Sequence, residues 1–128
     1  MNTDIKKLIG EATAYDKKQM LEVKRPKSWL KSVSAFANGE GGTLIFGISD
    51  DDHIVGLTDA KGDAERISEE IKSKLDPVPA VNLELKDADG KTLLLLHVYP
   101  GQETPYYYIG DKQRIAFVRI GNESVTAD

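Results

Sequence analysis

The spacing of hydrophobic positions in the N-terminal third of the chain predicts two helices around one strand. Apolar residues three and four apart predict a helix over about residues 4–13. The polar stretch 15–19 indicates a loop, and the alternation of residues 20–24 predicts a strand with one charged face. A second helix is expected over residues 28–38, because its apolar residues recur at helical spacing, namely Trp29, Val33, Phe36 and Ala37.

The rest of the chain is predicted to form mostly strands. Residues 43–49 are apolar without alternation, which is typical of a central strand covered on both faces. An acidic turn at residues 50–53 leads to a short strand over 54–57, and periodic apolar positions predict a third helix over about 59–75. Two hairpins complete the pattern: 81–86 with 93–99, and 106–109 with 115–120.

Strands outnumber helices in this pattern, and the helices lie between single strands or strand pairs. The order predicts an α/β (α+β) fold, with a mixed sheet of about six or seven strands and helices packed on it. The 128 residues are enough for one domain with its own hydrophobic core. A doubly wound parallel sheet is not favoured, because strands and helices do not alternate regularly.

Composition narrows the class of protein. The chain contains no cysteine, which excludes disulfide frameworks, zinc ribbons and thiol nucleophiles. No apolar run approaches the roughly 18–20 residues of a membrane span, and the first residues do not resemble a signal peptide. We therefore expect a cytoplasmic protein with no membrane partner.

The charge of the chain is unevenly distributed. The formal net charge is −4, which alone argues against an acidic partner such as nucleic acid. Residues 1–31, however, contain eight Lys and Arg residues against four acids, while the remainder contains nine against seventeen. A positive region of this kind suits contact with phosphates, especially at 24–27, where Lys-Arg-Pro-Lys follows the predicted strand. The simpler alternative is that these lysines only solvate a helix and a loop.

Two groups of acidic residues are candidates for metal chemistry. Glu22 shares a predicted strand face with Lys24, and Asp50 and Asp51 follow the predicted central strand. Carboxylates from two strands could hold Mg²⁺ or Mn²⁺, with the lysine stabilising charge on a phosphate. The alternatives are an exposed ion pair at Glu22 and a solvated turn at residues 50–53.

One glycine cluster, comprising Gly39, Gly41 and Gly42, is a candidate phosphate loop. Phosphate-binding loops precede a helix, whose N-terminus faces the anion, whereas this cluster follows a helix and precedes a strand. The sequence order therefore favours a helix end and a tight entry into the strand. A nest of backbone N–H groups that contacts phosphate remains the alternative.

Several segments, taken in order, resemble one known family. Residues 21–24 are similar to its Leu-Glu-Phe/Val-Lys strand, and 33–48 to its central Ala-Phe-Ala-Asn signature, which continues through Gly41-Gly42 to Gly47-Ile48. Residues 54–57 and 118–124 match in the same order. The chain thus resembles the Schlafen-type AlbA family, divergent AlbA-like domains found at the N-terminus of many bacterial transcriptional regulators.

The resemblance implies an α/β domain that binds nucleic acid. RNA-cleaving vertebrate members of the family use three carboxylates. Glu22 matches one of them, and Asp50 or Asp51 matches another. The third falls near Lys17, with Asp16 adjacent. We therefore expect a binding domain rather than an enzyme.

The leading hypothesis is a DNA- or RNA-binding domain of a bacterial transcriptional regulator. A nuclease that depends on Mg²⁺ or Mn²⁺ is the first alternative, and a nucleotide-binding module is the second. As partners we expect nucleic acid, with a homodimer and further C-terminal domains left open. The residues expected to contact nucleic acid are Lys17, Lys18, Lys24, Arg25, Lys27 and Arg119.

Overall fold

The computed structural model of the protein describes residues 14–127. The helix predicted over residues 4–13 lies outside this range. The described part contains two helices and eight strands: β1 (Tyr15–Lys18), α1 (Lys27–Ala37), β2 (Gly42–Phe46), α2 (Ala60–Lys74), β3 (Leu75–Asp76), β4 (Val81–Ala88), β5 (Lys91–Val98), β6 (Tyr107–Tyr108), β7 (Ile115–Ile120) and β8 (Glu123–Thr126). The predicted α+β class with mixed strands is confirmed.

The first sheet contains β2, the strand that the sequence predicts to be central, and the hairpin of β4 and β5. Its strand order is β1-β2-β5-β4, with β1 parallel to β2 and the other neighbours antiparallel. Every residue of β2 is buried, as are Leu93 to Leu96 of β5. Alternate side chains enter two different clusters, with Leu44 in the larger one and Ile45 in the smaller one on the opposite face. Apolar runs without alternation therefore mark strands with both faces covered.

The second sheet has the order β3-β6-β7-β8, so the strands divide between two sheets rather than forming one. Helix α1 contacts strands of both sheets. Its apolar residues Trp29, Val33 and Phe36 are each at most 1% exposed. Positions at this spacing share one face of a helix, and burial of that face confirms the predicted core positions of α1. The tertiary pairing of β6 with β3 has no local signal in the sequence.

The strand predicted over residues 20–24 is wrong. The structure forms its strand over 15–18, the stretch predicted as a loop, and residues 20–24 are irregular. Of the apolar residues in that segment, only Leu21 is buried, while Met20 and Val23 are exposed. The short strand predicted over 54–57 is reduced to a single bridge between Ile54 and Ile48.

Helix α2 begins and ends as its sequence predicts. The side chain of Asp59 accepts a hydrogen bond from the Gly62 N–H at 3.1 Å, which satisfies one of the unpaired amides at the helix start. Ile67 and Ile71, four residues apart, are buried against the core. Within residues 14–127, no helix has the length and hydrophobicity that a membrane crossing requires.

Candidate nucleic-acid interface

A groove lies between the segment that enters α1 and one face of α2. Its volume is about 610 Å³. We call it the basic groove, because six cations line it: Lys24, Arg25, Lys27, Lys31, Arg66 and Lys74. Two carboxylates, Glu70 and Asp111, also line it. The local charge is therefore positive although the whole chain is acidic.

Most cations of the basic groove have no carboxylate beside them. Lys74 forms an ion pair with Glu70 at 2.8 Å, and Lys27 donates to Gln113 Oε1 at 3.0 Å. The side chains of the other four form no hydrogen bond or ion pair with any residue of the described range. Unpaired cations in a concave surface concentrate positive potential and attract polyanions.

Tyr108 contacts two residues that line this groove, Lys27 and Asp111. Its side chain is fully buried, and its hydroxyl donates to Asp111 Oδ2 at 2.9 Å. Burial, followed by this hydrogen bond, raises the pKa of Tyr108 to about 12. The Lys27 ammonium lies 5.7 Å from the centre of the Tyr108 ring, which places it in cation–π range.

A second polar region also contacts α1 and adjoins the basic groove. We call it the polar frame: Asp16, Ser32, Ser34, Asn38, Arg119 and Ser124. Ser32 is buried and donates to Asp16 Oδ2 at 2.8 Å, and its hydroxyl lies 3.0 Å from that of Ser124. These contacts join α1 to β1 and β8, so the polar frame holds the two sheets against the helix.

Asn38 and Ser34 complete the frame at the C-terminal end of α1. Asn38 accepts a hydrogen bond from the Tyr106 N–H at 2.6 Å. It also donates to the carbonyl oxygens of Tyr106 and Phe117 at 3.0 and 2.9 Å. Ser34 donates to the Tyr106 carbonyl and accepts from the Phe117 N–H. The two side chains thus satisfy backbone groups of Tyr106 and Phe117, in the β6 and β7 segments. An amide side chain, which both donates and accepts, is therefore suited to the last position of the Ala-Phe-Ala-Asn segment.

Arg119, a predicted nucleic-acid contact, belongs to the polar frame. Its side chain is only 13% exposed. The guanidinium donates to Ser124 Oγ at 2.8 Å and to the Tyr15 carbonyl at 3.4 Å, and it lies 4.9 Å from the centre of the Phe36 ring. Asp16 is 3.9 Å away. These contacts hold the guanidinium against the neighbouring segments.

Lys17 and Lys18 are likewise engaged by neighbouring oxygen atoms. Lys17 pairs with Asp52 at 2.8 Å and donates to the Asp50 carbonyl at 2.6 Å. The hydrogen bond to Asp52 is the main reason that the pKa of Lys17 is raised. Lys18 lies 3.7 Å from Asp16 and donates to the Ser28 carbonyl at 3.3 Å.

The six predicted contacts therefore divide between two neighbouring regions. Lys24, Arg25 and Lys27 share the basic groove. Lys17 and Arg119 instead line a hollow of about 460 Å³ with Asp16 and Asp50. Lys18 and Arg119 border a smaller depression, and Lys31 lines both that depression and the basic groove, so the two regions adjoin.

The candidate metal ligands do not assemble into one cluster. Glu22 is exposed in the irregular segment and does not line the hollow that contains Asp50. Asp51 is bonded to the Ser49 hydroxyl and to His53, and these two contacts lower its pKa. Across residues 14–127, no group of three or more His, Cys, Asp or Glu side chains is placed to hold a metal ion.

The glycine cluster ends α1 and starts β2. The N–H groups of Gly39 and Gly41 both donate to the Phe36 carbonyl, at 3.1 and 2.9 Å. Gly41 has φ +82°, and a Cβ there would lie 2.7 Å from the Val98 carbonyl oxygen. The left-handed residue is thus Gly41, whereas Asn38 has φ −78° and is right-handed. Two of the amides proposed for a phosphate nest are therefore already used within the protein.

Three cations of the basic groove, Lys31, Arg66 and Lys74, are absent from the predicted set. Lys31 follows Lys27 by four residues and so shares its helix face, a signal present in the sequence. Arg66, Glu70 and Lys74 follow one another at four-residue spacing and so lie on one side of α2. Nothing in the sequence indicates that this face lies opposite the start of α1.

Comparisons with known proteins agree with this fold. The N-terminal domain of a "putative ATP-dependent DNA helicase RecG-related protein" from Nitrosomonas europaea is similar, with a TM-score of 0.67 and 25% identity over 94% of this chain and 86% of that chain. The DIP2311 protein from Corynebacterium diphtheriae has a TM-score of 0.65 and 19% identity, over 93% of this chain and 22% of that chain, and shows the fold alone. No curated protein matches. The family model described as Schlafen, AlbA_2 matches residues 11–128, nearly the whole chain. The chain therefore belongs to the Schlafen AlbA_2 family.

Proposed function

We propose that this domain binds nucleic acid through the sugar–phosphate backbone, in the basic groove. The observation behind the proposal is the convergence of six cations, four of them without an ion-pair or hydrogen-bond partner within the described residues. The similar domain from a RecG-related protein, named as a DNA helicase, supports a nucleic-acid ligand. Backbone binding of this kind would hold a transcriptional regulator on DNA.

The chemistry of the groove favours phosphates over bases. Its lining in the described chain contains Lys, Arg, Ser, Pro and Val beside the two acids, and no aromatic, Asn or Gln side chain. Aromatic rings stack on bases, and amides read adenine edges, so their absence from this lining leaves ionic contact as the main interaction. Binding should therefore be sequence-tolerant and sensitive to salt.

Salt titration tests the proposal directly. Fluorescence anisotropy with a labelled DNA duplex, and with an RNA duplex and single strands of the same sequence, measures affinity over a range of salt concentrations. Exchange of Lys24, Arg25 and Lys27 for Gln should reduce the slope of log K against log salt by about two to three units. The reason is that each lost phosphate contact releases one counterion fewer.

A matched control distinguishes the effect of the groove cations from the effect of a change in net charge. Exchange of Lys61, Lys72 and Lys112 for Gln removes the same number of charges from exposed sites outside the groove lining. This control should change the slope by less than about one unit. Equal slopes in the two triple variants, or no binding of any probe at low salt, would contradict the proposal.

A further inference from the structure

Strand β4 is a long edge without a neighbour. It is the last strand of the first sheet, pairs with β5 on one side, and has no strand on its other side among residues 14–127. It contains eight residues, against four in each of the outer strands β1 and β8. It also contains no proline. An edge of this length presents a row of backbone groups that can pair with another strand.

The register fixes which backbone groups of β4 face outward. Residues Val81 and Val98 are opposite each other, and the Tyr99 N–H donates to the Ala80 carbonyl at 3.1 Å. In an antiparallel pair, residues that exchange hydrogen bonds recur at every second position. Positions 80, 82, 84, 86 and 88 therefore bond to β5. The N–H and C=O groups of Val81, Leu83, Leu85 and Asp87 point away from the sheet.

The side chains of the edge have a self-complementary pattern. Glu84 and Lys86 lie on the same face, 3.8 Å apart, and Leu85 lies between them on the opposite face. If a second β4 strand pairs antiparallel about a two-fold axis at Leu85, Glu84 of each copy faces Lys86 of the other. These are non-hydrogen-bonded positions, where facing side chains are closest.

Other symmetric registers are less favourable. A two-fold axis at residue 84 would place two glutamates opposite each other, and one at residue 86 would do the same with two lysines. An axis at residue 83 would place Pro79, which has no N–H, among the outward hydrogen-bonding positions. The axis at Leu85 also brings together two leucines that are each 44% exposed in the single chain.

The geometry points to a homodimer in which the β4 edges of two copies pair antiparallel about Leu85, making one continuous eight-stranded sheet. The partner is thus a second copy of this chain, and the contact lies outside the basic groove. The interface is small, because one strand edge and two leucines supply most of it. We expect a weak dimer with a dissociation constant on the order of 100 μM.

Charge reversal tests the interface and its register. Sedimentation equilibrium over about 10 μM to 1 mM protein should show a reversible dimer of the wild-type chain. Lys86→Glu places carboxylates opposite each other at two symmetric contacts and should raise the dissociation constant at least about tenfold. The double variant Glu84→Lys/Lys86→Glu restores opposite charges and should return it to within about threefold of wild type. Lys61→Glu, on exposed α2, is the charge-matched control.

Hydrogen exchange of the wild-type chain provides a second measurement. The outward amides of Leu83, Leu85 and Asp87 should become protected as concentration rises, whereas those of Asn82 and Glu84 are already bonded to β5. A monomer at every concentration would overturn the proposal. Equal dissociation constants for the Lys86→Glu and Lys61→Glu dimers would also overturn it. So would a double variant that is folded but dimerises no more tightly than Lys86→Glu. Circular dichroism at low concentration establishes the fold of each variant.

Discussion

The basic groove and the polar frame lie on adjoining sides of α1 and use the same kinds of residue differently. In the groove, Lys24, Arg25 and Lys31 have no carboxylate partner among the described residues. In and beside the frame, Lys17, Lys18 and Arg119 contact oxygen atoms of neighbouring segments. The oxygen atoms that folding places beside a cation therefore decide whether its charge is neutralised within the protein or left for the binding that we propose.

Because of this difference, only part of the positive charge near the N-terminus can contribute to phosphate binding. Residues 1–31 have an excess of four positive charges. Lys17 and Lys18 of that set are already paired with Asp52 and Asp16, so they add little to a phosphate site. The cations at residues 24–31 are instead joined by Arg66 and Lys74 of helix α2, far along the sequence. Mutations can therefore test the two regions separately. Changes in the polar frame should alter stability, and changes in the basic groove should alter binding.

The largest expected effect is on the polar frame at Asn38. Asn38→Ala removes the side chain that bonds the backbone of Tyr106 and Phe117, while Ser34 retains only part of those contacts. Partly buried backbone groups lose their partners, so the free energy of unfolding should fall by about 3 kcal/mol. Urea denaturation should show a lower midpoint with an unchanged slope. Asn122→Ala in an exposed turn is the control, and equal losses in both would make Asn38 an ordinary surface residue.

The helices and strands could be predicted where the residues of one short segment determine them. The strands β2 and β5 follow from apolar runs, and α1 and α2 follow from apolar residues at helical spacing. Strand β1 could not be found, because its residues are polar and its stability comes from pairing with β2 and from contacts of Asp16 and Lys17. The division into two sheets depends on long-range pairing in the same way.

The candidate site could likewise be predicted only where neighbouring residues in the sequence form it. The adjacent cations at residues 24–27 mark half of the basic groove, because a local run of charge needs no tertiary information. Arg66 and Lys74 could not be assigned to the groove from the sequence, because their place there depends on how α2 packs. The contacts of Arg119 with Ser124 and Phe36 could not be predicted, because they depend on how the strands pack against α1.

A smaller effect is expected at Arg119, and it tests the assignment of this residue to the frame. Arg119→Ala removes a side chain that is 13% exposed and bonded to Ser124 and Tyr15, so stability should fall by about 2 kcal/mol. Arg114→Ala is the matched control, because that side chain is 57% exposed, and its cost should stay below about 0.5 kcal/mol. At temperatures where both variants are folded, affinity for nucleic acid should be nearly unchanged in Arg119→Ala. A large binding loss without a loss of stability would return Arg119 to the interface.

Next in size is a pH effect at Tyr108, which contacts Lys27 and Asp111 of the basic groove. Its pKa is about 12 in the folded chain, against an ordinary value of 10.0 that applies when the chain unfolds. Because the unfolded chain ionises first, the contribution to stability is complete below pH 10 and is lost as pH rises from 10 to 12. At pH 11, wild type should have lost roughly 1 kcal/mol more stability than Tyr108→Phe, which cannot titrate. Parallel pH profiles of the two proteins would show that Tyr108 does not titrate above its ordinary range.

The smallest expected effect is on catalysis, where we predict no cleavage of RNA, single-stranded DNA or duplex DNA with Mg²⁺ or Mn²⁺. Mg²⁺ gives up its water reluctantly and needs carboxylates that converge on it. Here the Lys17 ammonium contacts the Asp50 carbonyl and the Asp52 carboxylate, and a cation at this place opposes a metal ion. Glu22 lies in a separate exposed segment. Product analysis after long incubation with each metal, with chelator as the blank, measures the activity. Metal-dependent cleavage that is abolished by Glu22→Gln and by Asp50→Asn, with binding retained, would make the protein a nuclease and end the contrast between a groove that binds and a polar frame that only stabilises the fold.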